Sequence, residues 1–366
     1  MGNFNLLDKS KNILLLVTSS LFSLILLEFG VRIFFPQDKK VTWIEMHETG
    51  FVMNQKEGQA LHEFGPRTVH YTFTNERTRG ELLKLIDSTD VNIITIGDSF
   101  TFGLLLEQED TFVSHLQNWA DTSISTEIKF HNAAIGGAGI ADWPLWLEEY
   151  GKTIQPSKVI YFLNNQDVVR GLSKNLFVIS DTTNFELRPS QRWKPRAFFQ
   201  YLNQKNWYRF VQEKSELANI FVKILWRYVY FEDVTNGFSE AESKVIIPKK
   251  NQFNIYSDYS LILSIALLDK LKDWCITNNC DLIVANTGFF EPKNTDPHTL
   301  RFHEYLKKTS EDEYIDLYPC VAEFVQLDFK KIQIQNDNHP NEIGSKIIFE
   351  CLKDRLRPMF SNKLLQ

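Results

Sequence analysis

From residue 91 onward, the chain alternates short apolar runs with longer segments of helical spacing. Runs rich in β-branched and aromatic residues predict strands, here at 91–96, 128–132, 158–163 and 281–286. Apolar residues that recur every three or four positions predict helices, here at 109–119, 142–150, 259–277 and 345–356. Strands that alternate with helices form a parallel sheet covered on both faces, so the pattern predicts an α/β fold.

The N-terminal segment differs from the rest because it is almost uniformly apolar. After a tail of residues 1–12, the apolar run of residues 13–35 is interrupted by Glu28 and Arg32 and ends before Pro36. A transmembrane helix needs about 20 residues, so residues 13–35 are predicted to span a membrane. A cleaved signal peptide is the alternative, although no small-x-small cleavage site follows the apolar run.

The charges in and around this segment leave its orientation open. Glu28 and Arg32 lie one helical turn apart, so they can pair, and the Arg32 side chain can reach the membrane surface. An acidic residue at this depth could also contact a membrane partner. Basic residues flank the segment on both sides, namely Lys9, Lys11, Lys39 and Lys40. Because neither flank dominates, the positive-inside rule does not decide which side faces the cytoplasm.

Two regions lie outside the alternating pattern. Residues 36–90 form a polar neck, in which 68–74 alternates like a strand and 75–80 is typical of a turn. Residues 170–254 form an insertion rich in aromatic side chains, with one predicted helix over 207–230. The insertion could be a lid, a carbohydrate-binding platform or a surface that rests on a membrane. Its aromatic side chains could equally form a small core of their own.

Composition narrows the class of protein. The 366 residues are 43% hydrophobic, as expected of a globular protein, and the formal net charge is −6. With no face-sized run of Lys and Arg, a nucleic-acid partner is not expected. The four cysteines show neither a zinc-binding spacing nor the density of a disulfide scaffold. They are interpreted as incidental buried thiols, although an oxidising compartment could join Cys275 to Cys280.

The most informative motif is Gly97-Asp98-Ser99, which follows the first predicted strand and opens a helical segment. Ligands of parallel α/β sheets gather beyond the carboxyl ends of the strands. The Ser99 N–H would lie at a helix N-terminus, which favours a developing negative charge. Ser99 is therefore a candidate nucleophile. The alternative is that Asp98 or Ser99 serves only as a helix N-cap.

A serine nucleophile needs a base and donors for the oxyanion that its attack generates. His339 lies in a polar loop with Asp337, which could hold the imidazole tautomer. Backbone donors could come from the glycine-rich turn 136–139, and amide donors from the polar segment 164–167 after another predicted strand. A nucleotide-phosphate loop is the competing interpretation of the glycines, but neither G-x-G-x-x-G nor a Walker lysine is present.

These segments together resemble the SGNH, or GDSL, hydrolase family from about residue 91 to the C-terminus. Gly97-Asp98-Ser99-Phe100-Thr101-Phe102-Gly103 is similar to the family's first block, Asn132 with Gly137 to its second, and His339-Pro340-Asn341 with Gly344 to its last. The resemblance implies a flavodoxin-like three-layer α/β/α sandwich over 91–366, interrupted by the insertion 170–254. It implies Ser99 as nucleophile, His339 as base, and the N–H groups of Ser99 and Gly137 as oxyanion donors.

The chain departs from the family pattern at two positions. The third block usually reads Gly-x-Asn-Asp, whereas this chain has Asn164-Asn165-Gln166 before Asp167. The amide donor would then be Gln166, or Asn165 if it shifts into that role. In the last block the acid usually lies three residues before the histidine, where this chain has Asn336, and Asp337 lies two before. If Asp337 did not reach the ring, a Ser–His dyad would remain.

The apolar helix, the neck and the serine block together resemble a membrane-anchored bacterial subgroup of this family. The resemblance implies an esterase or O-acyltransferase that acts on acyl groups, acetyl above all, of envelope carbohydrate. It also implies a periplasmic domain and a multi-spanning membrane acyltransferase as a partner. A lipid or short-chain esterase and a non-catalytic envelope scaffold are the alternatives. Neither a metal nor an organic cofactor is expected, because the triad accounts for the strongest Asp/His grouping.

Overall fold

A computed structural model shows how these segments fold. It describes residues 4–37, 43–80, 91–124, 127–174, 176–181, 186–189, 202, 205–225, 255–289, 295–309, 314–326 and 328–361. Lys39, Lys40 and residues 81–90 of the predicted neck lie outside the described residues. So do residues 226–230 of the helix predicted over 207–230 and most of the aromatic insertion 170–254.

The N-terminal apolar segment forms one long helix, α1 (Phe4–Phe34). Its residues Ser10–Phe34 are long and apolar enough to cross a membrane, a test that a signal sequence also passes. Two hairpins follow, the first between β1 (Ile44–Met46) and β2 (Val52–Asn54), the second between β3 (Gly58–Phe64) and β4 (Arg67–Phe73). The alternating stretch at 68–74 thus forms most of β4.

The centre of the fold is a five-stranded, wholly parallel sheet. Its strands in chain order are β5 (Val91–Gly97), β6 (Ile128–Asn132), β7 (Lys158–Leu163), β10 (Asp281–Asn286) and β11 (Tyr314–Ile315). Their spatial order is β11-β10-β7-β5-β6. The chain leaves β5 towards β6 and then returns to β7 on the opposite side. The carboxyl end of β5 is therefore the switch point at which ligands of such sheets bind.

Helices cover both faces of the sheet. In the described residues, the helices after α1 are α2 (Ser99–Phe102), α3 (Phe112–Ser123), α4 (Trp143–Trp146), α5 (Lys152–Ile154), α6 (Asp167–Lys174), α7 (Asn206–Lys214), α8 (216–225), α9 (Ile255–Thr277), α10 (Pro297–Thr309), α11 (Tyr318–Val325) and α12 (Glu342–Ser361). A π-helical turn, Leu147–Gly151, joins α4 to α5, and β8 (Phe177–Asp181) pairs with β9 (Glu186–Pro189).

Strand residues alternate between two hydrophobic cores, one on each face. In β5, Ile94 packs against the core that includes Trp143 of α4, whereas Ile93 packs against the core that includes Leu116 of α3. The same alternation occurs in β7, where Tyr161 and Phe162 lie in opposite cores. Successive side chains of a strand point to opposite faces of the sheet. A strand that is apolar at every position therefore requires helices on both faces. The predicted three-layer α/β/α sandwich with a parallel sheet is confirmed.

Several predictions about the elements need correction. The helix expected over 207–230 is interrupted at Ser215, where α7 ends and α8 begins. Several elements were not predicted, among them the first three strands and helices α6, α10 and α11, as well as β11. Strand β11 has only two residues, which is too short for a periodic pattern to be detected. Helix α10 is largely polar, so its apolar positions give only a weak helical pattern.

The cysteine interpretation was wrong for two of the four residues and is confirmed for the other two. Cys320 of α11 and Cys351 of α12 form a disulfide, with Cα atoms 5.9 Å apart. Cys275 and Cys280, the pair considered from their spacing, are buried free thiols. Sequence distance misled here because α11 and α12 become neighbours only in the tertiary fold.

Candidate active site

Ser99 occupies a tight strand-to-helix turn at the end of β5. Asp98 caps α2, and its carboxylate accepts a hydrogen bond of 2.9 Å from the Phe100 N–H. Ser99 is the first residue of the helix. Gly97 admits no side chain, because a Cβ there would lie 2.9 Å from Thr101 Cβ and 3.0 Å from the Phe162 carbonyl oxygen. The N-cap alternative thus applies to Asp98 and leaves the Ser99 hydroxyl available for other contacts.

The Ser99 hydroxyl meets the C-terminal polar loop. Ser99 Oγ lies 2.7 Å from His339 Nε2, although the two residues are 240 positions apart in the chain. On the other side of the ring, His339 Nδ1 is hydrogen-bonded to Asp337 Oδ1. The same carboxylate oxygen accepts a 2.7 Å bond from the His339 backbone N–H. Both side chains are half-buried and the serine is buried, so the three groups form a continuous hydrogen-bonded chain that starts near the surface.

A tight turn places Asp337 and His339 on the same side of the C-terminal loop. The Asp337 N–H donates to the Ile334 carbonyl, and the Ile334 N–H donates to the His339 carbonyl at 2.9 Å. Asn336 takes a left-handed conformation, with φ of 64°, which asparagine tolerates better than most residues. The turn brings an acid two positions before the histidine into contact with the ring. The shorter spacing therefore leaves the carboxylate–imidazole contact intact.

The amide segment after β7 divides its side chains between two environments. Asn164, which sequence reasoning did not select, is buried, and its Nδ2 donates to Asp98 Oδ2 at 2.5 Å. Asn165 is half-buried, whereas Gln166 is exposed and accepts a 3.3 Å bond from Arg170. Asn164 thus ties this segment to the serine turn. The signal that could have identified it is its position directly after a buried strand, next to the end of β5.

The glycine-rich turn is held by buried polar groups. Gly137 is exposed, has a φ of 77°, and has open space where a side chain would begin. Asp142, fully buried, accepts from the Gly139 N–H at 2.8 Å and from Lys174 Nζ at 2.6 Å. Asn132 donates to the Thr101 carbonyl of α2 at 3.0 Å. These contacts join the turn to α2 and α6, and leave the Gly137 backbone accessible.

A buried ionic network lies beneath the serine turn. Asp98 accepts a 2.5 Å bond from Arg170, and Asp167 accepts from the Tyr161 hydroxyl at 2.9 Å and from the Asn164 N–H at 3.1 Å. Burial and the negative charge of Asp98 raise the pKa of Asp167 well above its ordinary value. Within the described residues, no group of three or more His, Cys, Asp or Glu side chains is arranged to hold a metal ion.

Arg79 is a second residue that sequence reasoning missed. It comes from the predicted turn at 75–80, is buried, and donates from its guanidinium to the carbonyls of Phe102, Gly103 and Leu106 at 2.6–2.7 Å. Its backbone N–H donates to the Asn132 carbonyl, which connects the turn to β6. An arginine in a polar turn gives no local sign of this role, because its acceptors lie more than twenty residues further along.

Comparisons with known proteins found structural similarity without close sequence relatives. No family model matches the chain, and no curated protein matches it. The psychrotrophic esterase EstA from Pseudoalteromonas sp. is similar with a TM-score of 0.39 and 15% identity, over 74% of this chain and 100% of that one. A member of the lipolytic protein G-D-S-L family from Veillonella parvula is similar with a TM-score of 0.39 and 14% identity, over 72% of this chain and 97% of that one.

A third similar structure is a catalytic mutant of the acetylxylan esterase Axe2 from Geobacillus stearothermophilus. Its TM-score is 0.40 and its identity 12%, over 74% of this chain and 96% of that one. The G-D-S-L name is that of the family whose motifs this sequence resembles. At these scores and identities, the similarities do not transfer a function to this chain.

Proposed function

We propose that this protein is a serine esterase or O-acyltransferase that works through an acyl-serine intermediate. The observation that carries the proposal is the hydrogen-bonded chain from Ser99 Oγ through His339 to Asp337. A serine hydroxyl becomes nucleophilic when a neutral imidazole can take its proton, and an imidazole is held in the required tautomer when a carboxylate accepts from its other nitrogen.

In this mechanism the Ser99 oxygen attacks the carbonyl carbon of an ester while its proton passes to His339 Nε2. Asp337 accepts the Nδ1–H and stabilises the imidazolium that forms. When the tetrahedral intermediate collapses, the alcohol oxygen leaves with the proton from His339. A water molecule, or the hydroxyl of an acceptor, then repeats the sequence in reverse and releases the acyl group from Ser99.

The oxyanion is proposed to be held by the N–H groups of Ser99 and Gly137 and by one side-chain amide. Between the two amide candidates, Asn165 is preferred, because it is half-buried beside the buried Asn164, whereas Gln166 is exposed. Loss of one oxyanion donor lowers kcat by roughly 10²–10³-fold. We expect Asn165→Ala to show this loss and Gln166→Ala to retain most of its activity. The reverse result would assign the role to Gln166.

The proposed setting is the outer side of a membrane, with residues 13–35 as anchor. The apolar length of α1 supports the anchor, and the disulfide between Cys320 and Cys351 fits an oxidising compartment such as the periplasm. The proposed substrate is an O-acylated, above all O-acetylated, envelope carbohydrate, with a multi-spanning acyltransferase as a partner. This substrate rests on the motif resemblance. Axe2, one of the similar structures, is an acetylxylan esterase.

A lipid ester is the second candidate substrate. It is favoured by exposed apolar side chains on α7 and α8, among them Trp207, Phe210 and Phe221. Turnover of aryl acetates compared with long-chain aryl esters separates the two candidates. We expect acetate to be preferred, and a preference for long chains would support the lipid substrate.

The decisive experiment is labelling of the purified full chain in detergent with a fluorophosphonate probe. We expect the label on Ser99, its loss in Ser99→Ala, and its retention in the control Ser123→Ala, which alters an exposed serine near the end of α3. Equal labelling of Ser99→Ala would contradict the proposal. A folded protein that neither labels nor turns over any acyl ester would indicate the non-catalytic scaffold instead.

A further inference from the structure

Helices α7 and α8 have their polar and apolar faces reversed. Four of their large apolar side chains are about 60% exposed, namely Trp207, Phe210, Phe221 and Ile224. Gln212, Glu216 and Asn219, in contrast, are buried. Large exposed apolar side chains beside buried polar ones are the reverse of the usual pattern in water. Such a surface marks a site of contact with an apolar partner.

The buried polar side of this pair makes contacts inside the protein. Asn219 Nδ2 donates to the Gln212 carbonyl at 2.7 Å, which links the two helices. Arg209 pairs with Glu45 of β1 at 3.5 Å. The apolar side chains therefore face outward because the polar face is tied to the rest of the molecule.

The same two helices are joined to the end of α1 by polar contacts. The Glu28 carboxylate accepts from Ser215 Oγ at 2.8 Å and from the N–H groups of Glu216 and Leu217 at 2.9 and 3.0 Å. Arg32 pairs with Glu28 and donates to the Lys214 carbonyl at 2.6 Å. Glu28 thus caps α8, and the α7–α8 junction is held against the last turns of α1.

The position of this junction along α1 matches a membrane boundary. The stretch of α1 without charged residues, from Asn12 to Leu27, is about 24 Å long at 1.5 Å per residue, against roughly 30 Å for a bilayer core. Within the proposed anchor 13–35, the charged pair Glu28 and Arg32 therefore lies in the last turns, near the level where the hydrocarbon region ends. Beyond Glu28, the side of α1 away from the junction remains apolar, with Phe29 and Ile33 exposed. Helices α7 and α8, which carry the other exposed apolar side chains, contact α1 within one turn of these residues through Glu28 and Arg32.

We propose that α7 and α8 lie in the interfacial layer of the bilayer, with Trp207, Phe210, Phe221 and Ile224 inserted among the lipids. This inference rests on the proposed membrane anchoring and deepens it. The partner is lipid, because the patch adjoins the anchor at the depth where amphipathic helices and tryptophan side chains bind membranes. The Glu28–Arg32 contacts then fix the catalytic domain to the membrane surface in one orientation, whereas an anchor alone would let it rotate.

The test uses the full chain reconstituted in phosphatidylethanolamine–phosphatidylglycerol vesicles. Phe210→Cys and Phe221→Cys are labelled with an environment-sensitive dye, and Phe324→Cys of α11, an equally exposed apolar position, is the matched control. The unsubstituted chain measures background labelling, which we expect to be small because Cys275 and Cys280 are buried. Circular dichroism verifies that each variant is folded.

The expected result is a blue-shifted emission at 210 and 221, with quenching by brominated lipid several-fold stronger than at 324. Water-like emission at both positions, in a chain that stays with the vesicles after alkaline extraction, would overturn the inference and leave the anchor standing. A blue shift without lipid quenching would mean that protein covers the patch, and would also overturn it. Release of the intact chain by alkaline extraction would refute the anchor and the inference together. Fluorophosphonate labelling of Ser99 is unaffected by any of these outcomes, so the catalytic proposal is tested separately.

Discussion

Asp98, which precedes the proposed nucleophile, holds the serine turn in place through hydrogen bonds to both of its carboxylate oxygens. One carboxylate oxygen caps α2 through the Phe100 N–H, and the other accepts from Asn164 and Arg170. The turn that carries Ser99 is thus connected to the segment after β7 and to α6. A buried carboxylate needs such partners, because an unpaired charge in the interior is costly. The aspartate therefore organises the site, while Asp337 contacts the histidine.

The contact between Asp337 and His339 leads to the first prediction. Asp337→Asn is expected to lower kcat by about a thousandfold, because an amide neither stabilises the imidazolium nor enforces one tautomer. Steady-state turnover of an aryl acetate measures the effect. The control is Asn338→Ala, an exposed neighbour in the same loop, which should stay near full activity. Nearly unchanged turnover of Asp337→Asn would favour the Ser–His dyad.

The raised pKa of Asp167 leads to the second prediction, which concerns pH. Burial and the charge of Asp98 keep this carboxyl protonated in the folded protein at pH values where the unfolded chain has already lost the proton. The folded state then binds more protons, so stability from this group is present below the ordinary pKa and declines as pH rises above it. Asp167→Asn removes that decline.

This pH effect is measured by urea unfolding at intervals between pH 4 and pH 8. The wild-type free energy of unfolding should fall more steeply with rising pH than that of the Asn variant. Asp121→Asn on the exposed surface of α3 serves as control and should follow the wild-type slope. Parallel slopes in wild type and Asp167→Asn would show that Asp167 is ionised in the folded protein.

At the scale of elements, α2 is too short to be stable alone, so its C-terminal end depends on Arg79. Three carbonyls at and beyond this end accept from one guanidinium, which also lies over the Tyr71 and Phe102 rings at 4.6 and 4.8 Å. Burial lowers the pKa of Arg79 to about 10, so the side chain is still charged at neutral pH. The hairpin β3–β4 and the serine helix are thereby joined.

The third prediction is that Arg79→Met lowers the free energy of unfolding by about 3 kcal/mol, because buried acceptors lose a charged donor. Urea unfolding monitored by tryptophan fluorescence measures it. The matched control is Arg67→Met, which removes a partly exposed ion pair to Glu342 and should cost under about 1 kcal/mol. Equal losses in the two variants would show that burial of Arg79 adds nothing.

At the scale of the whole molecule, the disulfide joins two helices of one face that flank the histidine loop. Cys320 and Cys351 are separated by 31 positions. Closing a loop of this length restricts the unfolded chain and stabilises the fold by about 3–4 kcal/mol in the chain-entropy model. The segment that carries Asp337 and His339 lies within the loop that this disulfide closes.

The fourth prediction is that a reducing agent lowers the free energy of unfolding of the wild type by about 3 kcal/mol. The double variant Cys320→Ala, Cys351→Ala should show a comparable loss and no further response to the reducing agent. Cys280→Ala, which removes a free thiol, is the control and should still respond. If the double variant still responded, the reducing agent would be acting elsewhere.

The sequence by itself determined the elements with strong local periodicity and the candidate chemistry at their ends. The apolar helix, the sheet strands β5, β6, β7 and β10, and helices α3, α9 and α12 were predictable, because each pattern depends on residues within a few positions of one another. The Gly97-Asp98-Ser99 turn was recognisable for the same reason. Together these features indicated a three-layer α/β/α sandwich and the residues on which a triad could be proposed.

Only the tertiary structure decided which distant groups meet. Packing of the C-terminal loop against the end of β5 brings His339 to Ser99 across 240 positions, and the pairing of β5 with β7 places Asn164 and Arg170 against Asp98. The same is true of Arg79, of the pairing of Cys320 with Cys351, and of the outward apolar faces of α7 and α8. Such contacts leave no periodic trace, because their partners are selected by the packing of whole elements and not by neighbours along the chain.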